Sequence, residues 1–337
     1  MTLDAARVTL KQHRFEVGAG FLAALVAGIS ALVVVYRLNA LEVPFSCIDG
    51  WLERADGPDG AGPCAALMRP WTSVLYEEGE RIFEAMRILP FTVGLLAGVP
   101  IVARELEGRT AQTAWSLEGS RVRWLVRQVA PILVLLGVGV GFAAVAMAIL
   151  DTYKVAVGDP GFLALGLYGP LVIFRAFAAF GAGLMIGALL GRTLPAFVLG
   201  AALALALALA VGAVRDRWLW SLPGVPIVTL SADPHAEPQM VPRMLTTDWG
   251  YLTPDGRMIS NEEGLALVPP EIAANDSPVQ PVASDEWLHE RGYTLLPLGV
   301  SDEMALAWAP YEALIFGLVG SLSIATTIVV VNRRRPT

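Results

Sequence analysis

Long apolar runs decide what this chain can fold into. The runs 17–36, 83–102, 129–150, 194–214 and 311–331 are each long and apolar enough to cross a bilayer, which takes about 20 helical residues. A further run, 161–190, is too long for one straight crossing and is interrupted by Pro170 and Arg175. It reads as a shallow or re-entrant piece within 151–170 followed by a span over 171–190. Of the 337 residues 55% are hydrophobic and 16% charged, whereas a soluble domain carries about a quarter charged residues. The expected class is an all-α polytopic membrane protein with six transmembrane helices. The alternating LALALALALA of the fifth run is not a strand signal, because a lone strand cannot satisfy its backbone in lipid.

The polar segments fall between these runs. Residues 1–16 alternate apolar and basic positions, and read either as an amphipathic helix at the inner membrane surface or as a frayed basic terminus. A cleavable signal peptide is the rival reading of 17–36, but the run is long for an h-region and no A-x-A site follows. Segment 37–82 is polar and contains Cys47 and Cys64, the only cysteines. A disulfide between them is open if the segment faces an oxidising compartment, with the turn-rich GPDGAGP bringing the ends together. Two free thiols are the other reading. A metal site would need more ligands, and this segment has no histidine. Segment 191–193 is a minimal turn. Segment 215–310 is rich in Pro, Asp and Glu and holds no spanning run, so it reads as a small folded lobe. Within it Tyr251 to Arg257 reads as a hairpin turn with Asp255 and Gly256 at the tip.

Charge sets the expected orientation. With both termini inside, the inner segments 1–16, 103–128, 191–193 and 332–337 carry twelve basic residues against five acids, leaving twelve basic residues and 26 acids elsewhere, out of 24 and 31. The opposite orientation would place the Arg-rich 103–128 loop and the terminal Arg333-Arg334-Arg335 outside, against the positive-inside rule. The expected location is the cytoplasmic membrane, multi-pass, with both termini cytoplasmic.

The 103–128 loop is the most informative polar stretch. Glu105 and Arg109 stand i,i+4, the favourable order for a helix-surface pair. Gly119 and Ser120 break the pattern, and Arg121, Arg123 and Arg127 lead into the next run. The residues Ala103-Arg104-Glu105-Leu106-Glu107, then Thr110, Trp115, Arg121, Arg123 and Trp124, resemble the first cytoplasmic loop of ABC-2-type transporter permeases, whose actinobacterial form reads A-R-E-L-E-x-G-T, then Trp, then R-x-R-W. Gly250-Tyr251-Leu252 with Gly256-Arg257, and the closing span ending in three arginines, are also similar to that family. One departure is Arg109, which stands where the family has Gly, with Gly108 one place earlier.

The resemblance implies an ABC-2, type V exporter-like permease with an extracytoplasmic lobe between spans five and six. It implies a coupling helix that docks on a separate ATPase subunit, through Arg104, Glu105, Glu107, Arg109, Thr110, Trp115 and Arg121. It further implies two permease copies, or one with a related partner, forming a path for an amphipathic or lipid-like molecule among membrane lipid. No cofactor is expected on this chain, because ATP is bound by the partner subunit, and no nucleic-acid partner is expected.

The residues themselves carry little chemistry. There is no G-x-x-x-x-G-K-[ST] and no H-E-x-x-H, and His13, His235 and His289 are scattered without ligand-spaced partners. No metal site and no catalytic residue are expected. Arg175 is the one charge well inside an apolar run, a candidate for the substrate path or an arginine snorkelling to the nearby outer surface. Gly94/Gly98, Gly137/Gly141 and Gly183/Gly187/Gly191 repeat at i,i+4, the last as a candidate face for sliding or dimerisation. Trp218, Trp220, Trp249, Trp287 and Trp308 read as an interfacial belt. Two alternatives from other classes stay open: a membrane sensor or structural subunit with a ligand-binding outer lobe, and a polytopic membrane enzyme.

Overall fold

The computed structural model describes residues 9–51, 62–111, 113, 115, 120–222, 224–226, 228–229, 239–240, 244–274 and 282–334. The expectations for residues 1–8, for most of the GPDGAGP turn, for His235 and for Arg335 lie outside these residues.

Six helices are long and apolar enough to span a membrane. They are α1 (Arg14–Ala40), α2 (Glu80–Glu107), α3 (Arg121–Val157), α4 (Pro170–Leu190), α5 (Thr193–Trp220) and α6 (Ala309–Arg333). Each satisfies its backbone internally, the only solution available to a lipid-exposed segment. The large side chains left exposed on α1 and α5, such as Leu22, Val26, Leu205 and Leu209, would be an aggregation liability in water. On a membrane protein they are the lipid-facing surface.

Several helices run past their apolar cores. The described N-terminal residues from Thr9 are helical, and the His13 N–H to Thr9 carbonyl and Val17 N–H to His13 carbonyl bonds carry that helix into α1. The helix Ala65–Ser73 and a π-helical turn Val74–Gly79 lead directly into α2. Much of the 37–82 segment is therefore helix, because Met68, Trp71 and Leu75 are fully buried in the main core. Asp151 and Lys154 belong to the last turns of α3, not to a loop. Gly158, at φ 112°, ends α3, a short 3₁₀ turn covers Gly161–Ala164, and Pro170 opens α4, where its missing N–H costs nothing.

Helix α4 is the axis of the bundle. Of its most apolar window 72% is buried, against 17% for α5. Small residues let neighbours approach it closely. A Cβ on Gly98 of α2 would come within 2.3 Å of the Phe180 carbonyl, and one on Gly181 within 2.6 Å of the Gly320 carbonyl of α6. Gly183 and Gly187 face Val99 of α2, and Gly191 caps α4 in the left-handed conformation. The glycine triple thus serves packing inside one chain and is not a free sliding or dimerising face. Gly137 of α3 does stand open, with nothing within 4 Å of its Cβ position.

The loop between α2 and α3 lies at the same end as both described chain termini, because Glu16 and Gln12 reach α2 and Arg334 reaches the end of α4. The opposite end carries the lobe between α5 and α6. Its antiparallel sheet has the order β1-β6-β4-β5, with β1 Val225–Pro226, β4 Met244–Leu252, β5 Met258–Ser260 and β6 Thr294–Ser301. A separate ribbon pairs β2 Val228–Thr229 with β3 Gln239–Met240. Residues 253–257 form the hairpin turn between β4 and β5, with Gly256 at φ 81°. Also at the lobe end, Cys47 and Cys64 form a disulfide, Cα atoms 5.5 Å apart, beside the Gly50 N–H bond to the Ala156 carbonyl at the end of α3.

The crossing of α2 and α4 yields a paired test. Gly98→Ala forces the helices apart and is expected to cost about 1–3 kcal/mol of stability, the usual penalty for overpacking. Gly137→Ala enters open space and should leave stability unchanged or slightly raised. Thermal unfolding of each variant in detergent reads the difference, and equal behaviour would show that the crossing is not this tight.

Candidate functional site

The last turn of α2 ends in a specific way. The Thr110 N–H bonds to the Glu105 carbonyl at 3.0 Å and the Arg109 N–H to the Leu106 carbonyl at 3.2 Å, the two bonds of a Schellman motif. That motif needs a left-handed residue just past the helix end, a place where glycine is favoured. Here the residue is Arg109, at φ 55°. The helix therefore stops at Glu107, and the Glu105–Arg109 surface pair expected from i,i+4 spacing does not form. Glu105 instead accepts the Thr110 hydroxyl and, at 2.7 Å, the Gln12 side-chain amide.

The flanking charges hold other helices. Arg104 pairs with Glu16 at 2.5 Å, which ties α2 to the start of α1. Glu107 accepts the Thr193 N–H at 3.0 Å and its hydroxyl at 2.6 Å. Its carboxylate caps the first turn of α5, where the N-cap Arg192 makes no side-chain cap bond, and a negative charge suits the positive end of a helix dipole. Ser120 opens α3 by accepting the Arg123 N–H. Arg121 donates to the carbonyls of Val331, Asn332 and Arg334, at 3.0, 3.0 and 2.7 Å, and stacks over the Trp115 ring at 4.8 Å. Trp115 is buried against Trp124, ring centroids 6.2 Å apart. Arg334 in turn donates to the Ala188 carbonyl at the end of α4.

The seven residues proposed for docking thus divide. Glu105, Glu107, Arg121 and Trp115 are engaged within the chain and shape the loop. Arg104 and Thr110 are exposed but also engaged, with Glu16 and Glu105, whereas Arg109 is exposed and its side chain makes no hydrogen bond or ion pair among the described residues. Arg123 is exposed as well. The 112, 114 and 116–119 positions lie outside the described residues.

Arg175 lies near the lobe end and is paired. Its guanidinium bonds Glu312 of α6, with Nε at 3.0 Å from Oε1, and donates to the Gly166 carbonyl at 2.8 Å. Glu312 is 1% exposed and also accepts the Trp308 indole N–H at 3.2 Å. The guanidinium is thus engaged within the chain. Sequence reading missed Glu312, which sits two residues inside the expected sixth span. An acid there, complementing the one arginine in the fourth run, was the available signal. Gly166, at φ 80°, gives the arginine room, since a Cβ there would lie 2.2 Å from the guanidinium. Of the tryptophans, Trp308 is buried and stacks on Trp218 at 5.4 Å. Trp220 and Trp249 remain exposed.

Two cavities accompany these features. A cleft of about 300 Å³ between α3 and α4 is lined by Leu133, Gly137, Val140, Ile173 and Phe177, and its lining is apolar. A second, also about 300 Å³, opens at the lobe end among Tyr76, Glu80, Arg87, Lys154 and Asp159. There the Tyr76 hydroxyl donates to Asp159 at 2.9 Å. Burial pushes the Asp159 carboxyl above its usual range, with the Tyr76 bond and Lys154 acting against that rise. Among the described residues no group of three or more His, Cys, Asp or Glu is arranged to hold a metal ion.

No curated protein and no solved structure matches the chain. A family model described as "ABC-2 membrane transporter related" matches residues 22–215, from α1 to the last turns of α5 and including the whole α2–α3 loop. That is more than half of the chain, and the chain belongs to the ABC-2 membrane transporter related family.

Proposed function

We propose that this chain is the permease subunit of an ATP-binding-cassette exporter, driven by a separate ATPase subunit that docks on the α2–α3 loop from the cytoplasm. The family membership carries the transporter reading. The observation that carries the docking site is the Arg109 turn: an exposed cation with no partner among the described residues, held in a fixed, strained geometry by engaged neighbours on both sides. The turn closes α2 through its two Schellman bonds, and holding a non-glycine residue in that left-handed conformation costs about 1–2 kcal/mol.

Orientation follows from two features. Basic residues concentrate at the loop end and in the terminal tail, which the positive-inside rule assigns to the cytoplasm. The disulfide sits at the lobe end, which suits an oxidising compartment. The lobe is then extracytoplasmic and both termini are cytoplasmic. Two permease copies, or one with a related partner, form the path. The substrate class is amphipathic or lipid-like, and the apolar α3–α4 cleft is the feature that fits an acyl chain. Hydrolysis takes place on the partner, and no reaction is assigned to this chain.

Two outcomes are expected. In intact cells, a single cysteine at Asp255 should react with an impermeant thiol reagent and one at Arg123 should not; labelling of the second alone would invert the orientation. For docking, Arg109→Glu should lower co-purification of the ATPase at least tenfold without changing unfolding temperature, because charge reversal at a docking contact works against the partner surface. Arg109→Gly should raise stability by about 0.4–1 kcal/mol by relieving the left-handed residue. Unchanged co-purification in Arg109→Glu would remove this turn from the interface.

A further inference from the structure

We infer that the loop drives α4 and α6 through a relay of two arginines, Arg121 and Arg334, which act as positioning residues for the transport cycle. This deepens the proposed function and rests on the reading that an ATPase docks on the loop.

The geometry points to it in three steps. Arg121 is the first residue of α3, directly after the loop, and its Nη1 alone reaches three carbonyls at the end of α6. The far carbonyl, at 2.7 Å, is that of Arg334 itself. The Arg334 side chain then crosses to the Ala188 carbonyl of α4, packed against Gly191, where a Cβ would meet the guanidinium at 3.1 Å.

Both contacts meet helix C-termini, whose last carbonyls lack intrahelical partners and whose dipole favours a cation. A guanidinium offers several donors in a rigid fork, so each arginine can hold more than one acceptor and transmit direction as well as position. Trp115 covers the Arg121 guanidinium from the loop side. Displacement of the loop therefore pulls the α6 end, and through Arg334 the α4 end, the most buried helix of the bundle. The α2 side of the loop moves α5 separately, through Glu107 and Thr193. One docking event is thus distributed to three helices that the loop does not belong to.

The test uses the complex purified with its ATPase in mild detergent and reconstituted in lipid. Spin labels at Val26→Cys on α1 and Leu318→Cys on α6, both exposed, report the α1–α6 distance without nucleotide and with ATP plus vanadate. The wild-type relay should give a nucleotide-dependent shift. Arg121→Ala and Arg334→Ala should each retain the ATPase within twofold of wild type yet lose most of that shift. Arg121→Lys, which keeps the charge but not the fork, should restore only part of it. A full shift in both alanine variants, or loss of ATPase retention in Arg121→Ala, overturns the relay while leaving the docking reading in place. Failure of the wild-type chain to retain any ATPase overturns both. If Arg121→Ala does not fold, Arg334→Ala, near the chain end, decides alone.

Discussion

Helix ends are where a membrane bundle of this kind is exposed to error. A spanning helix satisfies its interior backbone, but its first N–H groups and last carbonyls lack partners. At the loop end of this chain the ends of α2, α4 and α6 and the starts of α3 and α5 come together. Nearly every one is closed by a side chain or turn from nearby. Glu107 closes α5, Ser120 closes α3, Arg121 closes α6, Arg334 closes α4 and the Arg109 turn closes α2. Acids meet N-termini and arginines meet C-termini, the pairing that the dipoles favour. Because most of these caps come from a different helix, they also fix the relative positions of the ends.

The lobe end follows the same rule with a deeper pair. Glu312 is all but fully buried, and a lone carboxylate there would be expensive. Arg175, the Trp308 indole and the Gly166 carbonyl complete the group, so the charges and their hydrogen-bonding atoms largely satisfy each other. Asp302 extends the link, accepting the Gly161 and Phe162 N–H groups at 3.1 and 2.7 Å. The segment joining α3 to α4 is thereby fastened to the beginning of α6 by two acids ten residues apart in sequence, one under the lobe and one inside the helix. Breaking one partner of such a group costs more than the pair contributes, because the remaining charge stays buried.

The parts legible in sequence were those governed by local composition. Six apolar runs gave six helices, since hydropathy over about 20 residues is a property of the run itself. The hairpin at Asp255 and Gly256 was legible for the same reason: turn chemistry is local. The loop was recognisable by its residues, but their roles were not. Spacing suggested that Glu105 meets Arg109, yet the helix ended two residues too early, and the reason was the left-handed Arg109 itself. Glu107 and Arg121 read as docking residues for a partner subunit, but their hydrogen-bond partners within the chain lie 86 and more than 200 residues away. Glu312 escaped notice because a single acid at the start of a span is indistinguishable from an interfacial residue until its partner is known. The glycine triple of α4 misled in the opposite direction: a repeat that permits close approach does not say whether the neighbour is the same chain.

The two ends hold α4 and α6 together in different ways. Near the lobe α4 and α6 are joined by the buried Arg175–Glu312 group, and midway along by the Gly181–Gly320 crossing. At the loop end Arg334, beyond the last turn of α6, reaches the Ala188 carbonyl of α4. The ion pair lies under the lobe, and the guanidinium–carbonyl contact lies at the end that carries the α2–α3 loop. The half-buried guanidinium–carbonyl contact contributes on the order of 1 kcal/mol, as a typical hydrogen bond does, whereas removing one partner of a buried ion pair costs roughly 3–5 kcal/mol. The two joints therefore differ in kind: the one at the loop end rests on single guanidinium–carbonyl hydrogen bonds, and the one under the lobe on a buried charge pair.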